Sequence, residues 1–116
     1  MSLKLSDADV LQLQEKYSYL TNFQSVDPTA PIDPMNYCDA GGDSLLHIAA
    51  QLGDLNTVKL LVRAGLKIDA LGEMGFTPLH YAYQRKHVDI VAFLLKNGAS
   101  QELMNYFGKV PGDYAN

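Results

Sequence analysis

The chain has a single cysteine, Cys38, so it can form no internal disulfide, and this fits a reducing compartment. It has no run of Lys and Arg. Nine basic residues against thirteen acidic ones give a net charge of −4, without the basic footprint that nucleic acid or an anionic membrane attracts. No apolar stretch approaches the ~20 residues needed to span a bilayer. The first residues, Met1-Ser2-Leu3-Lys4-Leu5-Ser6-Asp7-Ala8-Asp9, place acids where a signal peptide needs an apolar region. These absences predict a cytoplasmic protein with no nucleic-acid or membrane partner.

The arrangements that carry chemistry are also missing. Cys38, His47, His80 and His87 show neither Cys-x-x-Cys nor His-x-x-x-His spacing, so no metal is expected. Asp43, Ser44 and His47 invite a triad reading. However, Ser44 stands where a helix N-cap belongs, its oxygen committed to backbone amides, and no nucleophile elbow accompanies it. Gly41-Gly42 lacks the lysine and hydroxyl residue of a phosphate loop and reads as a tight turn; Asp39 and Asp69 read as turn-capping residues. Neither an enzyme nor a cofactor site is expected.

What the sequence does contain is patterning. Its 116 residues are 47% hydrophobic, enough for one packed domain. Ser6 with Asp9 three residues on reads as a capping box, and Asp7 and Asp9 suit a helix N-terminus. Val10, Leu13, Tyr17 and Leu20 then recur at helical spacing and form one apolar stripe. Residues 1–24 are read as a helix that caps whatever follows. Residues 25–38 carry Pro28, Pro31 and Pro34 at three-residue intervals, predicting an extended, polyproline-like strap.

From about Asp39 onward the chain repeats. Gly42, His47, Ala49, Leu61 and Gly65 fall on Gly75, His80, Ala82, Leu94 and Gly98, each 33 residues later, and Gly108 continues the series. Each full copy reads as turn, short helix, turn, longer helix: Leu45 to Leu52 and Leu55 to Ala64, then Pro78 to Arg85 and Val88 to Asn97. Thr77 is placed to cap the second short helix, with Pro78 at its first position, where a missing N–H costs nothing. Gly53, Gly65 and Gly98 stand where left-handed helix ends are expected.

Thr77-Pro78-Leu79-His80, the 33-residue period and Asn97-Gly98-Ala99 after the second helix together resemble the ankyrin-repeat family. The resemblance implies an all-α solenoid of stacked helix-turn-helix units with projecting β-turns. Its repeats would cover 39–71 and 72–104, with an abbreviated one at 105–116. Copy one departs from the signature with Ser44-Leu45, and copy two places Lys86 where a glycine is usual between the helices. The family pattern gives Ser44, His47, Thr77, Pro78 and His80 framework roles. Each imidazole would share hydrogen bonds with the hydroxyl three residues earlier and with turn backbone; His87, at a helix start, is expected to be solvated or to cap.

By the same resemblance the turn tips and one face of the short helices form the recognition surface. The matching residues are Asp43, Gln51, Leu71, Glu73, Met74, Phe76, Gln84, Arg85, Met104, Tyr106, Phe107 and Lys109. Met74 and Phe76 flank one turn glycine, and Tyr106 and Phe107 precede another, placing large apolar groups where solvated turns prefer small polar ones. The expected function is a non-enzymatic protein-protein interaction module, monomeric when free. Two alternatives fit the same pattern: a stoichiometric inhibitor of the kind bacterial immunity proteins and antitoxins represent, or a structural subunit of a larger assembly.

Overall fold

Hydroxyl and carboxylate caps start four of the five α-helices found among the described residues. The structure, a computed structural model, describes residues 5–22 and 24–115. Residues 1–4 and 23 of the N-terminal segment, and the last residue of the abbreviated repeat, lie outside that description. Helix α1 (Asp7–Lys16) begins at Ser6, whose Oγ accepts from the Asp9 N–H at 3.1 Å while the Asp9 carboxylate accepts from the Ser6 N–H at 3.3 Å. Ser44 and Thr77 cap α2 (Leu45–Leu52) and α4 (Pro78–Gln84). Helix α3 (Leu55–Arg63) starts at Asp54, whose carboxylate accepts from the Thr57 hydroxyl at 2.6 Å and the Thr57 N–H at 3.3 Å. Only α5 (Val88–Lys96) has no side-chain cap.

Within each helix pair the chain reverses through one left-handed residue. In the first pair this is Gly53, with φ 78°. Its equivalent in the second pair is Lys86 with φ 60°, a conformation disfavoured for a residue with a Cβ. The family's glycine position is therefore kept in shape though not in residue.

A single layer of helix pairs results, α2 packing on α3 and α4, α4 on α5 and on a final 3₁₀ turn, Pro111–Tyr114, and α3 on α5. Leu45, Leu46, Ala49, Ala50, Val58 and Leu61 from the first pair meet Leu79, Ala82, Ile90 and Leu94 from the second in one fully buried core. Neither pair could bury this surface alone, which is why stacked repeats are stable only as an array.

Helix α1 and the turn after it lie against the start of α3 and the strap. The helix stops at Lys16, short of the residue 24 read from the sequence, so of the apolar stripe only Val10 and Leu13 lie on it while Tyr17 and Leu20 lie in the turn that follows; Leu13 and Tyr17 are buried, and Val10 and Leu20 are partly so. Polar contacts fix the docking: Tyr17 donates to Asp54 at 2.6 Å, Lys16 pairs with the same carboxylate at 2.9 Å, and the Gln14 amide donates to the Ile32 carbonyl at 2.9 Å. One aspartate thus caps α3 and anchors the N-terminal helix.

The strap between α1 and the repeats departs from the polyproline expectation. Asp27-Pro28 and Asp33-Pro34 each open a tight turn, with the Ala30 and Asn36 N–H groups donating to the Asp27 and Asp33 carbonyls at 3.0 and 3.1 Å. The aspartate side chains reinforce this by accepting from the Thr29 and Met35 N–H groups at 2.9 and 3.1 Å. An aspartate before a proline supplies both the first residue of a turn and the preset φ of the second, and this local bonding wins over an extended backbone. Ile32 and Tyr37 of the strap are buried in the core.

Candidate functional site

Three turns project from one edge of the helix layer, at residues 39–43, 72–76 and 105–109. Each closes with the first residue's N–H on the last residue's carbonyl: Asp39 to Asp43 at 2.9 Å, Gly72 to Phe76 at 2.7 Å and Asn105 to Lys109 at 2.9 Å. Gly42, Gly75 and Gly108 take positive φ at the same point of each turn, which only glycine does freely. These are the fingers of the array.

The first and third fingers are built alike. Asp39 Oδ1 accepts from the Gly41 and Asp43 N–H groups at 3.0 and 2.9 Å, and Asn105 Oδ1 accepts from Phe107 and Lys109 at 2.9 and 3.1 Å. The second finger has Gly72 in the corresponding place and no side chain to do this. A carboxylate arrives instead from the preceding finger: Asp43 Oδ1 accepts the Glu73 N–H at 2.9 Å. It occupies the space that a side chain at Gly72 would need, since a Cβ there would lie 2.1 Å from Asp43 Oδ1 and 2.9 Å from the His47 ring.

Asp43 is therefore not on the free surface that the resemblance assigned to it. It is 3% exposed, and its oxygens also accept from the Tyr81 hydroxyl at 3.1 and 2.9 Å and from Gln51 Nε2 at 3.4 Å. Burial, together with the Asp43 carboxylate, pushes the Tyr81 phenol well above its ordinary range.

Phe76 is likewise internal, at 8% exposure. Its ring stacks on Tyr81 with centroids 5.0 Å apart and an interplanar angle of 22°, lies 5.5 Å from Tyr114, and meets Phe107 edge-on at 6.3 Å. Aromatic pairs of this geometry contribute about 0.5–1.5 kcal/mol each beyond area burial, which draws the ring between fingers rather than outward. Tyr81 and Tyr114, absent from the residues singled out in the sequence, are what close over it. Their common place in the repeat, 33 residues apart beside the histidine position, was the signal that could have found them.

Leu71, Glu73, Met74, Gln84, Arg85, Met104, Tyr106, Phe107 and Lys109 are exposed and Gln51 partly so. Met74 at 51%, Met104 at 65%, Tyr106 at 75% and Phe107 at 63% gather large apolar groups at the second and third fingers. The two fingers are joined, the Tyr106 N–H donating to the Met74 carbonyl at 2.9 Å and the Tyr106 ring lying against Gly75, where a Cβ would come within 2.8 Å.

Below the fingers the histidines tie each turn to its helix. His47 Nδ1 accepts from the Ser44 N–H at 3.0 Å, which places the ring proton on Nε2, 2.7 Å from the Ala70 carbonyl. His80 repeats this with the Thr77 N–H at 3.0 Å and the Lys109 carbonyl at 2.9 Å. His87 stands at the N-cap position of α5 without a side-chain bond to that helix; its Nε2 lies 2.9 Å from the Gln51 carbonyl in the last turn of α2, its ring covering Gly53.

Burial lowers the affinity of His47 and His80 for a proton, outweighing the opposing pull of their carbonyl partners, so both fold as neutral rings. The unfolded chain therefore binds more protons. The stability contributed by the neutral rings is complete above the ordinary histidine value of 6.5 and is lost as pH falls below it. Urea unfolding monitored by circular dichroism should show the midpoint dropping between pH 7.5 and 5, with a much smaller change between 7.5 and 9. Asp54 does not contribute in that window. Its burial would raise its pKa, but hydrogen bonds from Thr57, Tyr17 and Lys16 outweigh this and hold it below 3.8, so its share is lost only at lower pH.

Two grooves of about 300 Å³ flank α1, one against the strap and one against α3. Neither adjoins the fingers, and among the described residues no three His, Cys, Asp or Glu side chains are gathered to hold a metal ion.

Comparison with known proteins agrees with this architecture. A family model described as Ankyrin repeats (3 copies) matches residues 15–105. An ankyrin and IPT/TIG repeat-containing protein of Schizosaccharomyces pombe is 38% identical over 88 residues, covering 75% of this chain and 8% of that protein. Human ankyrin repeat domain-containing protein 40 is 40% identical over 67 residues, 57% of this chain and 18% of its own. Human protein phosphatase 1 regulatory subunit 27 is 40% identical over 72 residues, 62% of this chain and 47% of its own. The chain thus spans less than half the length of each of these relatives. Period, capped helix pairs, projecting fingers and the match over residues 15–105 lead to one conclusion: the chain belongs to the ankyrin-repeat family.

Proposed function

We propose that this protein is a non-enzymatic interaction module that binds another protein through its second and third fingers. The observation that carries the reading is the exposure of Met74, Tyr106 and Phe107 on two joined turns, with exposed Met104 just before the second of them, where solvated loops prefer small polar residues. Methionine and aromatic side chains with an arginine nearby are what the buried centre of a protein interface uses, and Gln84, Arg85, Glu73 and Lys109 supply a polar rim. Ankyrin repeats mediate protein-protein interaction in general, and one relative is named a regulatory subunit of a protein phosphatase. The partner is a folded protein with an apolar cleft to receive the knobs. The module acts by occupying that surface.

Affinity capture from the native source tests this with wild type beside a Met74→Ala, Tyr106→Ala, Phe107→Ala variant. Truncation of central hot-spot side chains costs ~2 kcal/mol or more each, so the variant should retain a specific partner at least ~100-fold less well. Equal retention would place the interface elsewhere. Circular dichroism confirms in parallel that the variant keeps its helices.

A further inference from the structure

Met74 is the one fingertip residue whose backbone breaks the pattern of the other two. Its φ of 53° and ψ of 26° are left-handed, whereas the equivalent Gly41 and Phe107 have no positive φ. A methionine in this region is strained, and it persists only where its neighbours over-determine it. Here they do so from both sides. Before Met74, Asp43 holds the Gly72–Glu73 peptide through the Glu73 N–H at 2.9 Å and the Glu73 carbonyl accepts from the Phe76 N–H at 3.0 Å; after it, the Met74 carbonyl accepts from the Tyr106 N–H at 2.9 Å.

The three fingers together explain why. Where Asp39 or Asn105 supplies an oxygen from within the finger, it bonds the N–H groups two and four residues on, and the tip residue has no positive φ. Where Gly72 supplies none, the oxygen comes from Asp43 of the preceding finger and bonds the next N–H, that of Glu73, and the tip turns left-handed. Tyr81 aims the borrowed carboxylate by donating its hydroxyl to it.

We infer that Asp43, though buried, is the positioning residue of the interaction surface: by reaching across to the second finger it holds Met74 left-handed and fixes where its side chain projects. Its bearing on binding rests on the function proposed above; its geometry does not. A preset knob loses less conformational entropy on docking than a mobile one, so the shape of the surface is set by a carboxylate that never touches the partner.

Selective ¹³C-methyl labelling of methionine tests the inference without a partner, because the chain has four methionines and Met35 in the strap serves as an internal control. Asp43→Ala should move the Met74 methyl resonance toward its random-coil position and raise Glu73 amide exchange by ~10- to 100-fold, the loss of a hydrogen bond to a charged acceptor. Met35 should stay in place. Asp43→Asn keeps an acceptor oxygen and should restore most of the wild-type signal. Should Asp43→Ala fail to fold, Tyr81→Phe leaves the carboxylate but not its aim, and a smaller Met74 shift in the same direction is expected. An unmoved Met74 methyl in the folded variant overturns the inference, as does loss of protection at Met35 and the core in step with Glu73. Failure of the capture experiment would instead sink the proposed interface and leave this geometry standing.

Discussion

Deleting residues 1–24 is expected to lower the melting temperature by on the order of 15 °C or more, and at the upper end to leave no cooperative transition. The segment buries Leu13 and Tyr17 almost completely. At ~1.5–3 kcal/mol for each fully buried large side chain, the two together contribute ~3–6 kcal/mol before ordering entropy is charged. A domain of this size has ~5–15 kcal/mol of stability in all, and each kcal/mol is worth ~4–8 °C. The deletion also strips Asp54 of the Tyr17 hydroxyl and of Lys16, leaving a half-buried carboxylate with only Thr57 and the first turn of α3. Differential scanning calorimetry of the truncated chain is the measurement. A melting temperature equal to that of the full chain would mean that α1 is an appendage and that the first repeat caps itself. A milder variant separates the two contributions. Tyr17→Phe keeps the packing and removes one hydrogen bond to a charged acceptor, and should cost about 1.5–3 kcal/mol.

How legible all this was in the sequence depends on the range of the forces involved. Helices and their starts are decided within four or five residues, by a hydroxyl or carboxylate before an apolar stripe, and Ser6, Ser44 and Thr77 act as read. The repeat period was visible because stacking demands the same face every 33 residues. The strap is decided at the same local level: proline spacing predicts extension, and the aspartates before Pro28 and Pro34 turn the chain instead.

Asp43 and Phe76 failed differently. Their position in the turn predicts exposure, and contacts that the turn does not announce bury them: Tyr81, 38 residues on, bonds Asp43, while Phe76 is covered by Tyr81 from the following helix and by Tyr114, 38 residues on. A charged residue and a phenylalanine on a turn look alike from one dimension when the deciding partners sit on α4 and the final 3₁₀ turn. One clue was nevertheless present in the register itself. Positions 39, 72 and 105 read Asp, Gly, Asn, and a missing oxygen in the middle of a repeating series asks where its replacement comes from.

That missing side chain makes Gly72 the most demanding glycine in the chain, for reasons of space and not of conformation. Its φ of −100° needs no glycine. A Cβ, however, would fall 2.1 Å from Asp43 Oδ1 and 2.9 Å from the His47 ring, and neither neighbour is free to retreat: Asp43 is held by Tyr81 and Glu73, and His47 by Ser44 and Ala70. Gly72→Ala should therefore destabilise by roughly 3 kcal/mol or more, combining overpacking with a displaced charged acceptor. Gly112→Ala is the matched control, having neither positive φ nor any atom within 4 Å of the added Cβ, and should stay within about 0.5 kcal/mol of wild type. Urea midpoints of the two variants decide the matter, and near-neutral behaviour of both would show that the carboxylate does not fill the space beside Gly72. Combining Gly72→Ala with Asp43→Ala sharpens the test. Once the carboxylate is gone the added methyl meets only the histidine edge, so the double variant should be less destabilised than the two single losses sum to, the mark of residues competing for one place.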